Sequence, residues 1–300
     1  DVLSATWRNV PPRLKSLRAA FEHSWQLLSA DEQALFAQLS VFRGGFTLEA
    51  AQRVTGAGLP RVRGLVASSL LRTASGGEGE TRYEIHQVLR QYAAEALARA
   101  PGEEGRVKAR HAAYYVDYLD HQVARFNTPD LKKATTSIES ELGNIRLAWQ
   151  HALSVPNWDA VDRAIDLLHK FYDDHNWYQE GSDLFDLALN GLQPDLGDPE
   201  QRRVWGRILT HSAGLRLRLG RIPESHELAQ QAVRVLQGSP HKAALAYALN
   251  RLGTTYMTLG DFPLARETLL SCEDLYRELG DQQQIIRPLG NLGIIGNCTG

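Results

Sequence analysis

AYALNRLGTTYMTLGDFPLARETLLSCEDLYRELGD (Ala246–Asp281) reads as two helices around a Gly260–Asp261 turn, and parts of it recur forty residues upstream and downstream. Ala213, Gly253 and Gly293 fall in line, as do Gly220, Gly260 and Gly300, Ile222 and Phe262, Pro223 and Pro263, and Leu209, Leu249 and Leu289. A fixed period of roughly 20–50 residues marks stacked supersecondary units, none of which buries its apolar face alone. The small residue in the first helix, Ala213 or Gly253, leaves room for a neighbouring helix. Such a unit has no catalytic apparatus of its own; it makes surface.

The chain has 300 residues, comfortable for two domains or for one domain plus an array. With 43% hydrophobic residues it can bury substantial cores, which argues against disorder. The formal charge of -2 is uneven: residues 1–100 hold 12 Lys+Arg against 9 Asp+Glu, and the remainder holds 21 against 26. Neither part has the basic excess of a nucleic-acid binder. Cys272 and Cys298 give no disulfide framework, so a reducing cytoplasm is expected. No apolar run approaches the ~18 residues of a membrane span, and no signal peptide opens the chain. The only methionine is Met257, and Gly300 falls at a turn glycine after one helix of a further repeat. The chain is therefore expected to be a piece of a longer protein.

Upstream of the repeats, Leu14, Leu17, Phe21, Trp25 and Leu28 follow helical spacing. Ser29-Ala30-Asp31-Glu32 is a capping box that starts a second helix carrying Leu35, Phe36 and Leu39. Val41–Phe46 breaks it, and Thr47 can cap a third helix, Leu48 to Val54. Pro60 suits the first turn of a fourth, running to about Leu71. Arg72–Ala74 and Thr81–Ile85 look like strands around a glycine-rich Ser75–Glu80 turn, followed by a helix from about His86 to Ala98. Helices followed by a hairpin wing predict a winged-helix-like domain over 1–100. A winged helix can read DNA, with Arg61, Arg63 and Arg72 near the groove, but Glu78 and Glu80 make this wing acidic where phosphates would meet it. Nucleic acid is thus not the expected partner.

LRAAFEHSWQLLSADEQALFAQLSVFRGGFTLEAA (Leu17–Ala51) and RYEIHQVLRQYAAEAL (Arg82–Leu97) resemble the winged-helix part of bacterial STAND signalling ATPases, regulators with an NB-ARC or NACHT nucleotide-binding core and C-terminal repeats, and of LuxR/AfsR-like regulators. The likeness covers residues 7–155 closely, and Ser40–Thr47 is its most specific run. The resemblance implies a regulatory hinge folded against nucleotide rather than a DNA reader. Tyr83–Leu89 is similar to the Met-His-Asp motif, which places the nucleotide-sensing role on His86; Ile85 and Gln87 depart from that motif. A histidine can donate to a phosphate oxygen near neutral pH, and it can equally be a plain helix N-cap. No GxxxxGK[ST] run occurs in the chain, so no cofactor is expected in this segment, and ATP or ADP would belong to an absent N-terminal core.

Residues 101–135 are expected to form a helical linker, opened by Pro101–Gly105 and carrying a helix from His111 to about Val123. Residues 136–300 are expected to be helical repeats: Ile138–Leu153, Val161–Tyr172 and Leu184–Leu192 mark less regular helices ahead of Trp205–Leu236, Tyr247–Leu279 and an incomplete Ile285–Gly300. The later units resemble tetratricopeptide repeats, through Leu252-Gly253-x-x-Tyr256, Gly260-Asp261-Phe262 and Ala265, although the period of forty exceeds the usual ~34 and Gly181 or Ser225 replaces an expected alanine. The predicted fold is mainly α: a winged-helix domain with a small β-hairpin, then a tetratricopeptide-like α-solenoid of helix hairpins, with the last repeat truncated.

In such arrays the first helices line a groove, and groove-facing positions lie three or four residues apart. By analogy these are Arg207, Thr210 and Leu217; Tyr247, Asn250, Thr254 and Met257; then Arg287, Asn291 and Ile294. Arg and Asn can hold a peptide backbone or carboxylate, and Tyr and Met offer adaptable apolar contact, so a protein or peptide ligand is the expected partner. His169, Asp173, Asp174 and His175 include metal-ligand types, but no second motif or cysteine cluster supports a metal site. His23-Ser24 has no acid or nucleophile elbow in reach. Trp149, Trp158 and Trp177 sit at core-type positions. The sequence therefore predicts no enzyme, but the sensor and regulatory segment of a signalling ATPase. The alternatives are a DNA-binding winged-helix regulator with a repeat sensor, and a passive scaffold.

Overall fold

The structure is a computed structural model and describes residues 25–76, 80–126, 128 and 130–299. Most of the helix expected over Leu14–Leu28 and the wing tip Gly77–Gly79 lie outside the described residues. The chain forms two compact units, the first ending at His151 and the second starting at Ala152.

In the first unit, helix α1 (Ala30–Leu39) opens with the expected capping box: Ser29 Oγ accepts from Glu32 N and the Glu32 carboxylate accepts from Ser29 N. Strand β1 (Phe46–Thr47) follows, then α2 (Leu48–Thr55), with Thr47 Oγ1 accepting from Ala50 N at 3.1 Å. Helix α3 (Leu59–Ala67) carries Pro60 in its first turn and stops four residues short of Leu71. Strands β2 (Arg72–Ser75) and β3 (Thr81–Glu84) form the wing. The sheet has three antiparallel strands in the order β1-β3-β2, with Phe46 and Thr73 both opposite Tyr83. Two residues are too short to show alternation, which is why the sequence reading missed β1.

Helix α4 (Gln87–Ala98) closes the hairpin, and two long helices follow, α5 (Glu103–Phe126) and α6 (Leu131–Ser154). Glu103–Gly105, read from sequence as linker, are the first turn of α5, where two carboxylates suit the helix dipole and Glu103 pairs with Arg106 and Arg110. Tyr115, Ile138 and Ile145 are fully buried alongside Phe36, Leu39, Phe46 and Leu65. The two compact units divide after His151, and α5 and α6 supply part of the first unit's core.

The second unit is a run of helix pairs: α7 (Trp158–Asp174) with α8 (Tyr178–Gly191), α9 (Pro199–Arg218) with α10 (Ile222–Leu236), α11 (Lys242–Leu259) with α12 (Phe262–Leu279), and then α13 (Ile286–Thr299). Each first helix packs on its partner and on the next first helix. Leu209, Ala232, Leu236 and Ala248 form one apolar cluster and Ala213, Ala229 and Leu252 another, so α9 and α10 share this seam with α11 of the next pair. The small residues of the repeat act as the period implies: a Cβ on Gly253 would lie 2.6 Å from Leu269. Trp149 is 2% exposed and belongs to the core, but Trp158 is half-buried and Trp177 is 37% exposed, so the core reading fails for those two. Among the described residues, no helix is long and apolar enough to cross a membrane.

Candidate functional site

Polar side chains gather in both units. In the first unit, loop Ser40–Thr47 and β3 are fastened to α6 by a buried network. Asn144 Oδ1 accepts from Arg43 N at 2.6 Å, and its Nδ2 donates to Gly45 O at 2.9 Å and to Glu141 Oε2 at 2.8 Å. Tyr115 Oη donates to the same Glu141 oxygen at 2.8 Å, and Arg82 forms an ion pair with Glu141. Phe42 stacks on Phe46 and meets His111 edge-on beside this network. Burial lowers His111 to about 4, against the opposing hydrogen bond that its Nε2 makes to Asn144 Oδ1, so its ring is neutral near pH 7. For Arg82, burial pulls the pKa down, but the Glu141 carboxylate more than offsets it and leaves it raised. Sequence reasoning missed this network. The available signal was Glu141 and Asn144, three apart on the same helical face as Ile138 and Ile145.

A cleft of about 310 Å³ opens beside the network, between the wing and α5–α6, and Glu49, Glu80, Tyr114, Tyr118 and Glu141 are among its lining residues. Burial, with Glu49 next in effect, raises the Tyr114 hydroxyl to about 12. With Asp117 included, four carboxylates face Arg53 and Arg82, a lining that disfavours phosphate. On the helix-turn-helix face, Arg61 and Arg63 of α3 are exposed, Arg61 donates to Asp31 O at 3.0 Å, and Arg72 on the wing pairs with Glu84 at 2.6 Å. His86 is the exposed N-cap of α4, its Nδ1 accepting from Val88 N at 3.4 Å.

In the second unit the first helices are tied across their seams, residue to residue about one repeat apart. Asp162 of α7 takes Arg203 at 2.8 Å and also Arg207 of α9. Asp166 takes Arg207 at 2.8 Å and His211 at 3.0 Å. The His169 and His211 rings lie 4.5 Å apart, and His211 lies 5.3 Å from the ring of Tyr247 on α11. Arg287 of α13 sits 5.9 Å over Tyr247, and Asn291 donates to Asn250 at 3.2 Å. Desolvation raises the Asp166 carboxyl, but His211 and Arg207 hold it below the usual carboxylate range. Burial pushes His169 and His211 down, although Asp166 pulls His211 the other way.

The predicted groove residues divide accordingly. Arg207 is committed to two aspartates, and Thr210 is fully buried with Oγ1 donating to Gly206 O at 2.8 Å, so neither reaches out to a ligand. Met257 packs on the Ala265, Leu269 and Ile295 cluster, and Thr254 Oγ1 donates to Arg251 O at 2.7 Å. Leu217 is half-buried, Ile294 is 52% exposed, and Tyr247, Asn250, Arg287 and Asn291 come together at the α11–α13 seam. The metal-ligand types of α7 disperse: Asp173 pairs with Arg218, Asp174 with Lys170, and His175 Nδ1 faces Phe171 O at 2.6 Å. No metal-binding cluster of three or more His, Cys, Asp or Glu occurs among the described residues.

The sequence matches the family model "Winged helix-turn-helix domain" over residues 28–98, the same stretch that folds as α1–α4 with the three-stranded sheet. Residues 28–98 fold as a winged helix. Proteins named as HTH-type transcriptional regulators from Mycobacterium bovis and Mycobacterium tuberculosis are 35% identical over 159 residues, covering 49% of this chain and 17% of theirs. The chain thus spans about a sixth of the length of those relatives. Among solved structures, a STAND protein with a tetratricopeptide repeat sensor from Pyrococcus horikoshii is similar at 13% identity and TM-score 0.36, over 92% of this chain and 49% of that one. In this chain the winged helix is followed by helical repeats.

Proposed function

We propose that this chain is the non-catalytic regulatory and sensor segment of a STAND-type signalling ATPase. Its repeats bind a protein or peptide signal, and its winged helix relays binding to a nucleotide-binding core elsewhere in the protein. The observation that carries the reading is the use made of the winged helix's arginines. Arg82 is largely buried against Glu141, Arg72 pairs with Glu84 and Arg61 turns back on Asp31 O, so three of the domain's arginines make internal contacts. The mechanism is population shift: the winged helix packs on an ADP-bound core, and a ligand on the repeats disfavours that packing. Switching the balance from about 1:99 to 99:1 requires about 5.5 kcal/mol of discrimination. His86 is exposed at the start of α4, and we assign the nucleotide-sensing role to it. The test is the protein with its ATPase core, carrying His86→Ala. Faster ADP loss and raised basal activity are expected, and unchanged values of both sink the sensing role.

A second reading, direct DNA binding, is favoured by the regulator names of the relatives and by exposed Arg63 on α3. A gel shift at low salt that weakens steeply with added salt and is lost in Arg63→Gln would establish it. Absence of a shift at low salt leaves the first reading.

A further inference from the structure

The seam between α9 and α11 holds two buried polar atoms that point to a ligand of definite chemistry. His211 is 3% exposed. Its Nε2 faces the Asp166 carboxylate at 3.0 Å, so Nε2 carries the proton and donates, which leaves Nδ1 as a bare acceptor. Nδ1 is buried and meets no donor among the described residues. On the facing helix, Arg251 has the opposite deficit: its Nε is buried without an acceptor, and among the described residues no carboxylate pairs with it. The guanidinium lies on the backbone of Gly214, one turn on from His211, where a Cβ would come within 2.8 Å of it. Glycine at 214 is what lets the cation occupy the seam. Next along the face, Arg287 sits over the Tyr247 ring, also without a carboxylate among the described residues.

An acceptor lacking a donor, in the field of a cation that lacks an anion among the described residues, is complementary to one kind of group. We propose that this seam is a binding site for an acidic residue of a peptide, its carboxylate meeting Arg251 with Arg287 behind it and its backbone N–H donating to His211 Nδ1. This rests on the sensor reading and gives its ligand a chemistry. A nucleic acid fits less well. Its backbone offers no N–H donor to Nδ1, and residues 152–300 carry 14 Lys+Arg against 19 Asp+Glu, which repels a polyanion. The neighbouring α7–α9 seam is different in kind, because Asp162, Asp166 and Asp173 already neutralise Arg203, Arg207 and Arg218 there.

The test follows His211 and Arg251 side-chain nitrogens by NMR in the whole 300-residue chain, at matched ionic strength. The probes are the capped tripeptide Leu-Asp-Leu, its Leu-Asn-Leu counterpart, succinate and a twelve-nucleotide single strand. The expected result is a saturable shift of both His211 Nδ1 and Arg251 Nε with the Asp peptide, at least about tenfold weaker affinity for the Asn peptide, and a shift at Arg251 alone with succinate. Arg251→Gln should abolish the response without lowering Tm, since it removes an unpaired cation. Arg287→Gln, an exposed change that cannot unfold the chain, should weaken it. Equal binding of the Asn peptide overturns the acidic site while leaving peptide sensing intact. Binding retained in Arg251→Gln, tighter binding of the oligonucleotide, or a His211 Nδ1 that is held by water and moves with no probe each overturns it as well. If no peptide perturbs any residue of α9, α11 or α13, the sensor reading falls with it.

Discussion

Replacing Glu141 with leucine tests whether the buried network holds the winged helix in place. The side chains of Arg82 and Glu141 are 12% and 5% exposed, so deleting the carboxylate leaves a guanidinium with little access to water. Breaking such a pair from one side costs about 3–5 kcal/mol. Tyr115 Oη and Asn144 Nδ2, each 2.8 Å from Glu141 Oε2, lose their acceptor at the same time, and a stranded buried donor costs about 1–3 kcal/mol. These penalties overlap, and the expected loss for Glu141→Leu is at least about 3 kcal/mol. Arg82→Leu in the Glu141→Leu background should recover part of it, with a coupling energy of about 2 kcal/mol or more. Because the chain has two compact units, the assay is native-state hydrogen exchange, read separately over residues 25–151 and 152–300. Protection should fall in loop Ser40–Thr47 and the wing and stay unchanged in α9–α13. A loss below about 1 kcal/mol, or no coupling to Arg82, would refute the reasoning.

Acid should weaken the first unit through His111. Its ring is held neutral in the fold, at about 4 against an ordinary 6.5, so the unfolded chain binds the extra proton and stability is lost as pH falls from 6.5 toward 4. The loss is about 2 kcal/mol at pH 5, and the pH dependence of urea unfolding should be flatter by that amount in His111→Phe. Gly253→Ala should cost about 1–3 kcal/mol, because its Cβ lands 2.6 Å from Leu269; thermal unfolding should register it in the second unit alone. His86→Ala should change stability by less than about 0.5 kcal/mol, since the cap bond is long and exposed, so an effect on nucleotide retention would not be a folding effect.

The repeat was legible because its signals are local. The Gly260–Asp261 turn, Pro263 in the first turn of α12 and the small residue at Gly253 each act within a few residues or on the next helix. The capping box at Ser29 and the Thr47 cap were legible for the same reason. Long-range partnerships were not. Nothing near Arg82 announces Glu141, 59 residues away, and nothing near Arg207 announces Asp162, 45 residues away. Helical spacing correctly placed Arg207 and Thr210 on a first helix, but it cannot tell a side chain facing solvent from one consumed by the neighbouring helix. Arg251 was overlooked for a related reason: its distinction is the lack of a partner, and only coordinates reveal that.

The clamp on loop Ser40–Thr47 also bears on the order in which the chain matures during synthesis. Arg43 N and Asn144 Oδ1 are bonded across 101 residues, so the loop cannot be locked until α6 has left the ribosome. Loop closure over that length adds an entropic cost that grows only slowly with separation, so the delay is set by translation, at about 5–20 residues per second, more than by the chain's search. For several seconds the nascent winged helix has its wing and α4 but not its fastening. A chaperone or a partner domain arriving in that interval would meet a more open loop than the finished protein ever shows.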